Sequence, residues 1–220
     1  MTREDSGAKP RQVSLGILLS GTGTTLQNLI DKIERGDLPA RIEFVLSSKP
    51  NAYGITRARK AGLPVETVDR KEFKDMRDFG LAVNERIFRY DIDLIVLAGY
   101  SHLLILDHLR ETPAINIHPA LIPAFCGKGY YGDRVHKAVL EYGVKITGVT
   151  VHFVDDQYDH GPIILQEAIR VRPDDAVDSL RSRVQRVEHR LYPEAIKLFA
   201  AGRLRREGGR VRILPQRKAT

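Results

Sequence analysis

The chain has 220 residues, of which 42% are hydrophobic and 29% charged, and its formal net charge is +7 at pH 7. This length allows one large domain or two small ones with a sizeable core, and no run approaches the roughly 18 apolar residues that a membrane span needs. The single cysteine, Cys126, excludes an intramolecular disulfide and a thiolate-based metal cluster. Because such sparse cysteine usage is typical of a reducing compartment, we expect a cytoplasmic protein with no membrane partner.

The positive charge is concentrated at the C-terminal end. Residues 201–220 contain seven basic residues and one acidic residue, which accounts for six of the seven net charges. No aromatic residue lies among them and the chain has no tryptophan, so stacking on nucleic-acid bases has little support. We interpret this segment as a solvated basic tail and expect no nucleic-acid partner.

Hydrophobic patterns predict alternating strands and helices. Apolar runs predict strands at 13–19, 42–46, 64–68, 94–98, 114–117, 146–154 and 163–171. Apolar residues at helical spacing predict helices from Leu26 to a stop near Gly36 and at 53–61, 76–90, 103–109 and 175–200. Residues 203–214 are expected to form an edge strand or a hairpin.

This alternation, with continuous apolar strands, defines the expected architecture. The predicted fold class is α/β: a single domain with a Rossmann-like, twisted, mostly parallel sheet and helices on both faces. A long C-terminal helix and a short basic tail complete it. We expect a disordered leader at 1–12, because that segment is polar and lacks a secretory core, one domain at 13–214, and a tail at 215–220.

The loop after the first strand has the composition of an anion site. The sequence Ser-Gly-Thr-Gly-Thr-Thr ends at Thr25 and leads directly into the first predicted helix. Free amides at a helix N-terminus bind phosphate, and the three threonine hydroxyls exceed what a turn requires. The loop is no Walker A motif, and Leu26 occupies the third glycine position of a dinucleotide fingerprint. We favour a monophosphate-sized site over a tight turn with threonine caps.

A second candidate site centres on Asn116 and His118, which are two residues apart in an apolar run. In a strand both side chains lie on one face. Pro119 restricts His118 to extended angles, so the strand is expected to stop there. This carboxyl end of a parallel strand is where ligands usually bind in open α/β sheets. Asp159 lies on a later loop, in the motif Asp-His-Gly-Pro.

An amide donor, a titratable imidazole and a carboxylate suit chemistry through a tetrahedral oxyanion. The alternatives are that His118 is structural and that Asp159 only forms a turn. No serine or cysteine is placed as a nucleophile beside the histidine, so a covalent intermediate is not indicated. Cys126 lies in a segment with the composition of a mobile loop, and we interpret its thiol as incidental.

Two further interpretations concern the other polar residues. His118, His152, Asp159 and His160 match no known metal-ligand spacing, so we expect no metal. His152 lies opposite the core-facing residues of its strand, which favours support of the site or plain packing over catalysis. Glu188, on the long helix, is either part of a solvated face or a substrate contact.

Six stretches of the chain resemble one family. They are LSGTGTTLQNLI, VLSSKPNAYGITRARKAGLP, LIVLAGY, INIHPALIPAF, GVTVHFVDDQYDHGPIILQ and RVQRVEHRLYPEAI. In these stretches, which run in order over nearly the whole chain, it is similar to the phosphoribosylglycinamide formyltransferases (GAR transformylases) of the formyltetrahydrofolate-dependent formyltransferase family. Asn-x-His-Pro with a downstream Asp-x-Gly-Pro is specific for formyl-folate enzymes. Within this family, the Gly-Thr-Gly loop and the RVQ-x-x-EH helix resemble the phosphoribosylglycinamide formyltransferases in particular.

The resemblance implies a reaction and its reactants. The expected reaction transfers a formyl group from the co-substrate 10-formyltetrahydrofolate to the amine of N1-(5-phosphoribosyl)glycinamide (glycinamide ribonucleotide). This is a step of de novo purine (IMP) biosynthesis. The expected partners are these small molecules alone, no metal is implied, and the protein would be a monomer or a homodimer.

The resemblance also implies residue roles. His118 matches the catalytic histidine, Asn116 the amide that stabilises the oxyanion, and Asp159 the carboxylate that organises proton transfer through water. The implied substrate contacts are Gly23, Thr24 and Thr25 for the phosphate and Glu188 for the ribose. The implied folate contacts are Ser101, His102, Leu103, Leu104 and Asn116. An arginine at the folate tail would fall at Met76 or Arg77.

The chain departs from the family pattern at several of these positions. Thr25 replaces a frequent asparagine, and Ser101-His102 replaces the commoner Met-Arg. Cys126 stands where many members have proline, and the segment 128–133 is longer and more aromatic. The departures bear on loop closure and folate affinity rather than on the chemistry.

Three alternative functions remain open from the sequence. A formyltetrahydrofolate deformylase uses a similar trio but carries an N-terminal regulatory domain and needs no phosphate loop. A methionyl-tRNA formyltransferase has an additional C-terminal RNA-binding domain, and the basic tail is too short to be one. A non-enzymatic nucleic-acid-binding module would predict steeply salt-dependent binding.

Overall fold

The computed structural model describes residues 12–106, 109 and 112–216. Its strands are β1 Val13–Leu19, β2 Ala40–Ser47, β3 Val65–Thr67, β4 Leu94–Leu97, β5 Ala114–His118, β6 Ile146–Phe153, β7 Ile163–Arg170, β8 Leu204–Glu207 and β9 Arg210–Ile213. Its α-helices are α1 Thr24–Glu34, α2 Tyr53–Lys60, α3 Met76–Ile87, α4 Asp133–Tyr142 and α5 Val177–Ala200. A 3₁₀ turn, Arg70–Glu72, precedes α3.

Seven strands form one sheet in the order β3-β2-β1-β4-β5-β6-β7. The pairs among β1 to β5 are parallel, whereas β6 pairs antiparallel with both β5 and β7. From β1 the chain builds outward to β3 and then returns to β4 on the other side, so the strand order reverses between β1 and β4. Ligands of open α/β sheets bind outside the carboxyl ends of strands at such a reversal.

Helices cover both faces of this sheet. The larger core contains residues of β1 together with the apolar faces of α1, α2 and α5, whereas α3 packs on the opposite face against Leu18, Phe44 and Ile95. The alternation within β1 explains both cores, because Ile17 and Leu19 face one side and Leu18 faces the other. The predicted α/β fold with a mostly parallel sheet is therefore confirmed.

The long helix α5 is joined to the sheet at its centre. Tyr192 is fully buried, and its hydroxyl lies 3.0 Å from the Leu97 carbonyl oxygen and 2.9 Å from that of Ile115. These carbonyls belong to β4 and β5, so the hydroxyl ties the helix to the two strands whose carboxyl ends carry the site. Pro193 follows within the helix without ending it.

The predicted elements that correspond to observed ones agree with them to within three residues, and one predicted helix is not observed. The helix expected at 103–109 is not formed, because residues 103–106 have no helical structure; 107 and 108 lie outside the described residues. The apolar spacing there serves tertiary packing, since Ile105 packs on Gly80 of α3 and its carbonyl accepts a hydrogen bond from Asn84.

The terminal segments are only partly covered. The hairpin alternative for 203–214 is the observed one, with β8 and β9 paired antiparallel. Residues 1–11 and 217–220 lie outside the described residues, and the predicted leader and tail boundaries stay predictions. Within the described part of the chain, no helix is both long enough and apolar enough to cross a membrane.

Candidate active site

Strand β5 carries Asn116 and His118 on one face at its carboxyl end, as their spacing predicts. His118 is only 3% exposed. Its Nδ1 lies 3.5 Å from Asp159 Oδ2, and Asn116 Nδ2 lies 3.2 Å from Asp159 Oδ1. The structure therefore brings the amide and the imidazole together with a carboxylate that lies 43 residues after Asn116 in the chain.

Asp159 is held by the backbone around it. It adopts a left-handed conformation, with φ 52°, in the loop between β6 and β7. Gly161 lies so close to β6 that an added Cβ would lie 2.0 Å from the Phe153 carbonyl oxygen. The loop thus folds tightly over the end of β6, and a side chain at position 161 would prevent this close approach. In addition, the Gly127 amide donates a hydrogen bond of 2.9 Å to Asp159 Oδ2.

The hydrogen-bond partner of His118 fixes the position of a ring hydrogen. Nε2 lies 2.8 Å from the carbonyl oxygen of Phe125. A carbonyl can only accept, so Nε2 keeps its hydrogen in both protonation states. The other ring nitrogen, Nδ1, faces Asp159.

His152 supports the site from the neighbouring strand. In the antiparallel register it lies opposite Asn116, and its Nε2 lies 3.2 Å from Asn116 Nδ2. Its Nδ1 donates to the Phe153 carbonyl at 2.8 Å, which leaves Nε2 as an acceptor for the amide hydrogen. Burial lowers the pKa of His152 below its usual value, which keeps this acceptor neutral. Of the two interpretations left open for His152, the structure favours support of Asn116.

The glycine-rich loop forms the N-terminus of α1, as predicted. Gly23 is its N-cap, with φ 72° and no side-chain cap, and an added Cβ would lie 2.6 Å from Gly54 Cα. The first turn contains no acidic residue, so nothing within it opposes the binding of an anion. Gln185 of α5 donates a hydrogen bond of 2.8 Å to Thr24 Oγ1, which leaves the hydroxyl hydrogen of Thr24 for another acceptor.

Arg57 was not identified from the sequence and lies beside this loop. Its Nε donates to the Thr22 carbonyl at 3.0 Å, its Nη1 donates to Gln27 Oε1 at 3.2 Å, and its guanidinium stacks on the ring of Tyr53. The two contacts join the start of α1 to α2 and place a positive charge next to the candidate phosphate site. No local pattern distinguishes Arg57 from Arg59, because only the packing of α2 on the loop selects one of them.

The segment that follows β4 lies against the same edge of the sheet. The Ser101 amide donates to Ser20 Oγ at 3.1 Å, and Ser20 shares a 2.6 Å hydrogen bond with Ser48. The ring of His102 makes edge contacts with Phe79 and Tyr100, and its Nε2 is buried without a partner in the described structure. Burial, followed by the nearby positive charges, lowers the pKa of His102.

Met76 contacts a cation that the sequence did not single out. Arg70 Nε lies 2.9 Å from Met76 Sδ, and its guanidinium lies 5.9 Å from the ring centroid of Phe79. The arginine expected at the folate tail was assigned to Met76 or Arg77, and the structure offers Arg70 as a third candidate.

Glu188 is partly buried rather than part of a fully solvated face. Removal from water raises the pKa of its carboxyl to about 7. The helix that carries Glu188, α5, is joined to α1 at the following residue, because the Asn28 side chain of α1 donates a hydrogen bond of 2.9 Å to the His189 carbonyl. A carboxyl with this perturbation, on the helix that also reaches Thr24, fits a binding site.

The remaining candidate residues form no hydrogen bond with the side chains of Asn116 and His118 in the described structure. Cys126 Sγ lies 3.2 Å from the Pro123 carbonyl, and burial raises the pKa of its thiol, with the Asp159 charge adding to the effect. A raised pKa reduces the reactivity of a thiol. His160 is exposed and pairs with Asp155 at 2.7 Å, away from the trio. Across residues 12–106, 109 and 112–216, no three histidine, cysteine or acidic side chains are grouped as metal ligands.

The fold and these side chains define a class: a doubly wound α/β protein whose candidate site for acid–base chemistry lies at the reversal of strand order. The family follows from comparison with known proteins. The model of the family described as formyl transferase matches residues 14–196. The chain belongs to this formyl transferase family.

Individual relatives and structures agree with this assignment. The chain is 37% identical to the phosphoribosylglycinamide formyltransferase of Haemophilus influenzae, over 87% of this chain and 89% of that protein. The glycinamide ribonucleotide transformylase 1 of Symbiobacterium toebii is 43% identical with a TM-score of 0.87, and 96% of this chain and 99% of that chain are covered. The phosphoribosylglycinamide formyltransferase of Coxiella burnetii is 36% identical with a TM-score of 0.83, over 92% and 94% of the two chains. The predicted resemblance is confirmed.

Other relatives are much longer. The trifunctional purine biosynthetic protein adenosine-3 of Bos taurus is 37% identical over 95% of this chain, which spans only 20% of that protein.

Proposed function

We propose that this chain transfers the formyl group of 10-formyltetrahydrofolate to the amine of glycinamide ribonucleotide in de novo purine biosynthesis. The observation that carries the proposal is the placement of two sites on one sheet edge. The trio of Asn116, His118 and Asp159 follows β5, and the anion-binding loop at Gly23 follows β1, with only β4 between these strands. A phosphorylated acceptor and a reacting carbonyl can therefore be held by the same face of the protein.

The loop binds the phosphate of the acceptor in this proposal. The amides of Gly23, Thr24 and Thr25 and the positive end of α1 meet the anion, and the hydroxyl hydrogen of Thr24 completes the contact. Glu188 accepts hydrogen bonds from the ribose hydroxyls. The folate pteridine lies along Ser101, His102, Leu103 and Leu104, so its N10 reaches the trio at the end of β5.

The reaction is a direct attack. The amine lone pair adds to the formyl carbon, and the carbonyl electron pair moves onto the oxygen. Asn116 Nδ2 and the protonated Nδ1 of His118 donate to this oxyanion, which takes the place of their present contacts with Asp159. When the carbonyl re-forms, the bond from carbon to N10 breaks.

Asp159 has two tasks in this scheme. Its carboxylate, 3.5 Å from His118 Nδ1, stabilises the positively charged imidazole. It also holds a water that takes the proton released by the amine and delivers it to N10 as the leaving nitrogen departs. The products are the formylated amide and tetrahydrofolate, and the proposal assigns no step to a metal ion.

Arg57 gives a prediction specific to the acceptor site. We expect Arg57→Gln to raise the KM for glycinamide ribonucleotide roughly fivefold, because the loss of a partly exposed charged contact costs about 1 kcal/mol. The KM for 10-formyltetrahydrofolate should not change. Steady-state kinetics with each substrate varied in turn measure both constants.

Arg59→Gln is the matched control, since Arg59 is an exposed arginine of the same helix. If the two variants changed the KM for the acceptor equally, Arg57 would act only through the general positive charge of the surface and not through a specific contact.

The decisive assay for the function uses 10-formyltetrahydrofolate with and without glycinamide ribonucleotide. Formyl transfer that requires the acceptor supports the proposal. Release of formate without the acceptor would instead identify a deformylase, in which water attacks the formyl carbon. The anion-binding loop favours transfer, because hydrolysis requires no phosphorylated acceptor.

The remaining expectations follow from this chemistry. Both reactants are small, polar metabolites, so we propose a cytoplasmic enzyme that acts as a monomer or a homodimer without a nucleic-acid or membrane partner. Sedimentation of the purified protein distinguishes the two oligomeric states.

A further inference from the structure

Two non-glycine residues of the described chain have positive φ angles, and both lie at the candidate active site. They are Asp159, with φ 52°, and Phe125, with φ 51°. Aspartate adopts the left-handed region comparatively easily, whereas a bulky aromatic residue rarely does, because Cβ crowds the backbone carbonyl. Unfavourable backbone angles persist where the surrounding structure enforces them, often at functional sites. Phe125 is therefore the residue that requires an explanation.

The backbone of Phe125 does one thing that no other described group does. Its carbonyl oxygen is the partner of His118 Nε2, at 2.8 Å. This contact fixes the hydrogen on Nε2 and sets the orientation of the ring. Nδ1 is thereby aimed at Asp159 Oδ2, 3.5 Å away. If the chain relaxed to an ordinary φ at position 125, the carbonyl would rotate away from the imidazole.

Contacts on both sides hold Phe125 in this conformation. The Phe125 ring lies edge-on to Tyr142 of α4, with ring centroids 5.8 Å apart. Before it, the Ala124 amide donates to the Leu121 carbonyl at 2.9 Å. After it, the Gly127 amide donates to Asp159 Oδ2 at 2.9 Å. The same short loop thus contacts the imidazole through one carbonyl and the carboxylate through one amide.

We propose that Phe125 is a positioning residue whose left-handed backbone holds its carbonyl against His118 Nε2 and thereby directs Nδ1 towards Asp159, where the reaction takes place. This inference rests on the proposed formyl transfer for its catalytic consequence. It assigns the role to the backbone conformation, and it makes the aromatic ring a secondary support.

Two substitutions separate the backbone from the ring. Phe125→Asn and Phe125→Val both remove the ring contact with Tyr142, but asparagine readily adopts positive φ whereas β-branched valine resists it. We expect the valine variant to lose roughly 10- to 100-fold in kcat, since a small misplacement of a catalytic group has effects of this size. We expect the asparagine variant to stay within about threefold of the parent enzyme. The KM values for both substrates should stay unchanged in each variant.

Nuclear magnetic resonance supplies a readout that needs no activity. In ¹⁵N-labelled protein the hydrogen-bonded Nε2–H group of His118 should give a protected signal, assigned by its absence from the His118→Asn variant. The signal should persist in Phe125→Asn and disappear in Phe125→Val.

The outcomes are distinct. Equal kcat values in the two variants, or an Nε2–H signal that survives in Phe125→Val, would overturn the inference. A parent enzyme that fails to transfer the formyl group would overturn the proposed function, whereas the resonance experiment would still decide the role of Phe125. Far-ultraviolet circular dichroism and thermal unfolding confirm that both variants are folded.

Discussion

Replacement of His118 or Asn116 by alanine should lower kcat for formyl transfer by roughly 10²–10³-fold, the usual effect of removing one oxyanion donor. The two side chains face Asp159 at 3.5 Å and 3.2 Å, so each variant removes one of the two donors to the developing negative charge. The KM for glycinamide ribonucleotide should change little, because neither side chain is assigned to the phosphate or the ribose. Initial rates with both substrates saturating measure the effect.

The chain contains a close control for this experiment. His160 follows Asp159 directly, yet it is exposed and pairs with Asp155. His160→Ala should therefore keep kcat within about twofold, since exposed substitutions away from a site have small effects. Near-full activity of both Asn116→Ala and His118→Ala would show that the trio is not the catalytic centre.

Glu188→Gln should stabilise the protein, and increasingly so as the pH rises. Burial raises the pKa of the Glu188 carboxyl from 4.5 to about 7. Below pH 4.5 the carboxyl is neutral in both the folded and the unfolded chain and adds no pH dependence. Between these values the unfolded chain is ionised while the folded protein stays protonated, so the parent protein loses stability as the pH rises.

Above pH 7 both states are ionised and the full cost remains. Each unit of pKa corresponds to about 1.36 kcal/mol, so the advantage of the glutamine variant should grow by about 2–3 kcal/mol between pH 5 and pH 8. Urea unfolding of both proteins without substrates, at pH 5 and pH 8, measures the difference. A constant difference between the two pH values would contradict the burial of this carboxyl.

The same variant tests the binding role of Glu188. Loss of the carboxylate should raise the KM for glycinamide ribonucleotide and leave kcat nearly unchanged. A variant that is more stable and yet binds the acceptor less tightly would show that the partly buried Glu188 is retained for function at the expense of stability.

The local sequence pattern was sufficient to predict the placement of residues whose geometry depends on their neighbours along the chain. Asn116 and His118 share a face because side chains alternate along a strand, and Pro119 ends that strand directly after His118. The glycine-threonine loop was recognised as a helix N-terminus for the same reason, since both the loop and the apolar spacing from Leu26 are local. Such signals act over a few residues and survive without tertiary context.

Local pattern failed where packing across the sheet decides the outcome. The helix predicted at 103–109 had suitable apolar spacing, but Ile105 packs on Gly80 and its carbonyl accepts a hydrogen bond from the Asn84 side chain. Arg57 and Arg59 look alike in the sequence, and only the packing of α2 against the first loop brings Arg57 to the Thr22 carbonyl. Tertiary contacts override propensity at such positions because they bury more surface than a short helix can.

The sequence by itself determined the α/β fold, the family and the trio of polar side chains, since all three depend on periodicity and on motifs of a few residues. The tertiary structure alone decided how that trio is organised. Asp159 reaches His118 only because Gly161 lets its loop fold over β6, and His152 meets Asn116 only through the antiparallel register of β5 and β6. The carbonyl of Phe125 fixes the His118 tautomer through a backbone conformation that no sequence pattern indicates. These contacts join residues far apart in the chain, so they depend on the global packing rather than on local preference.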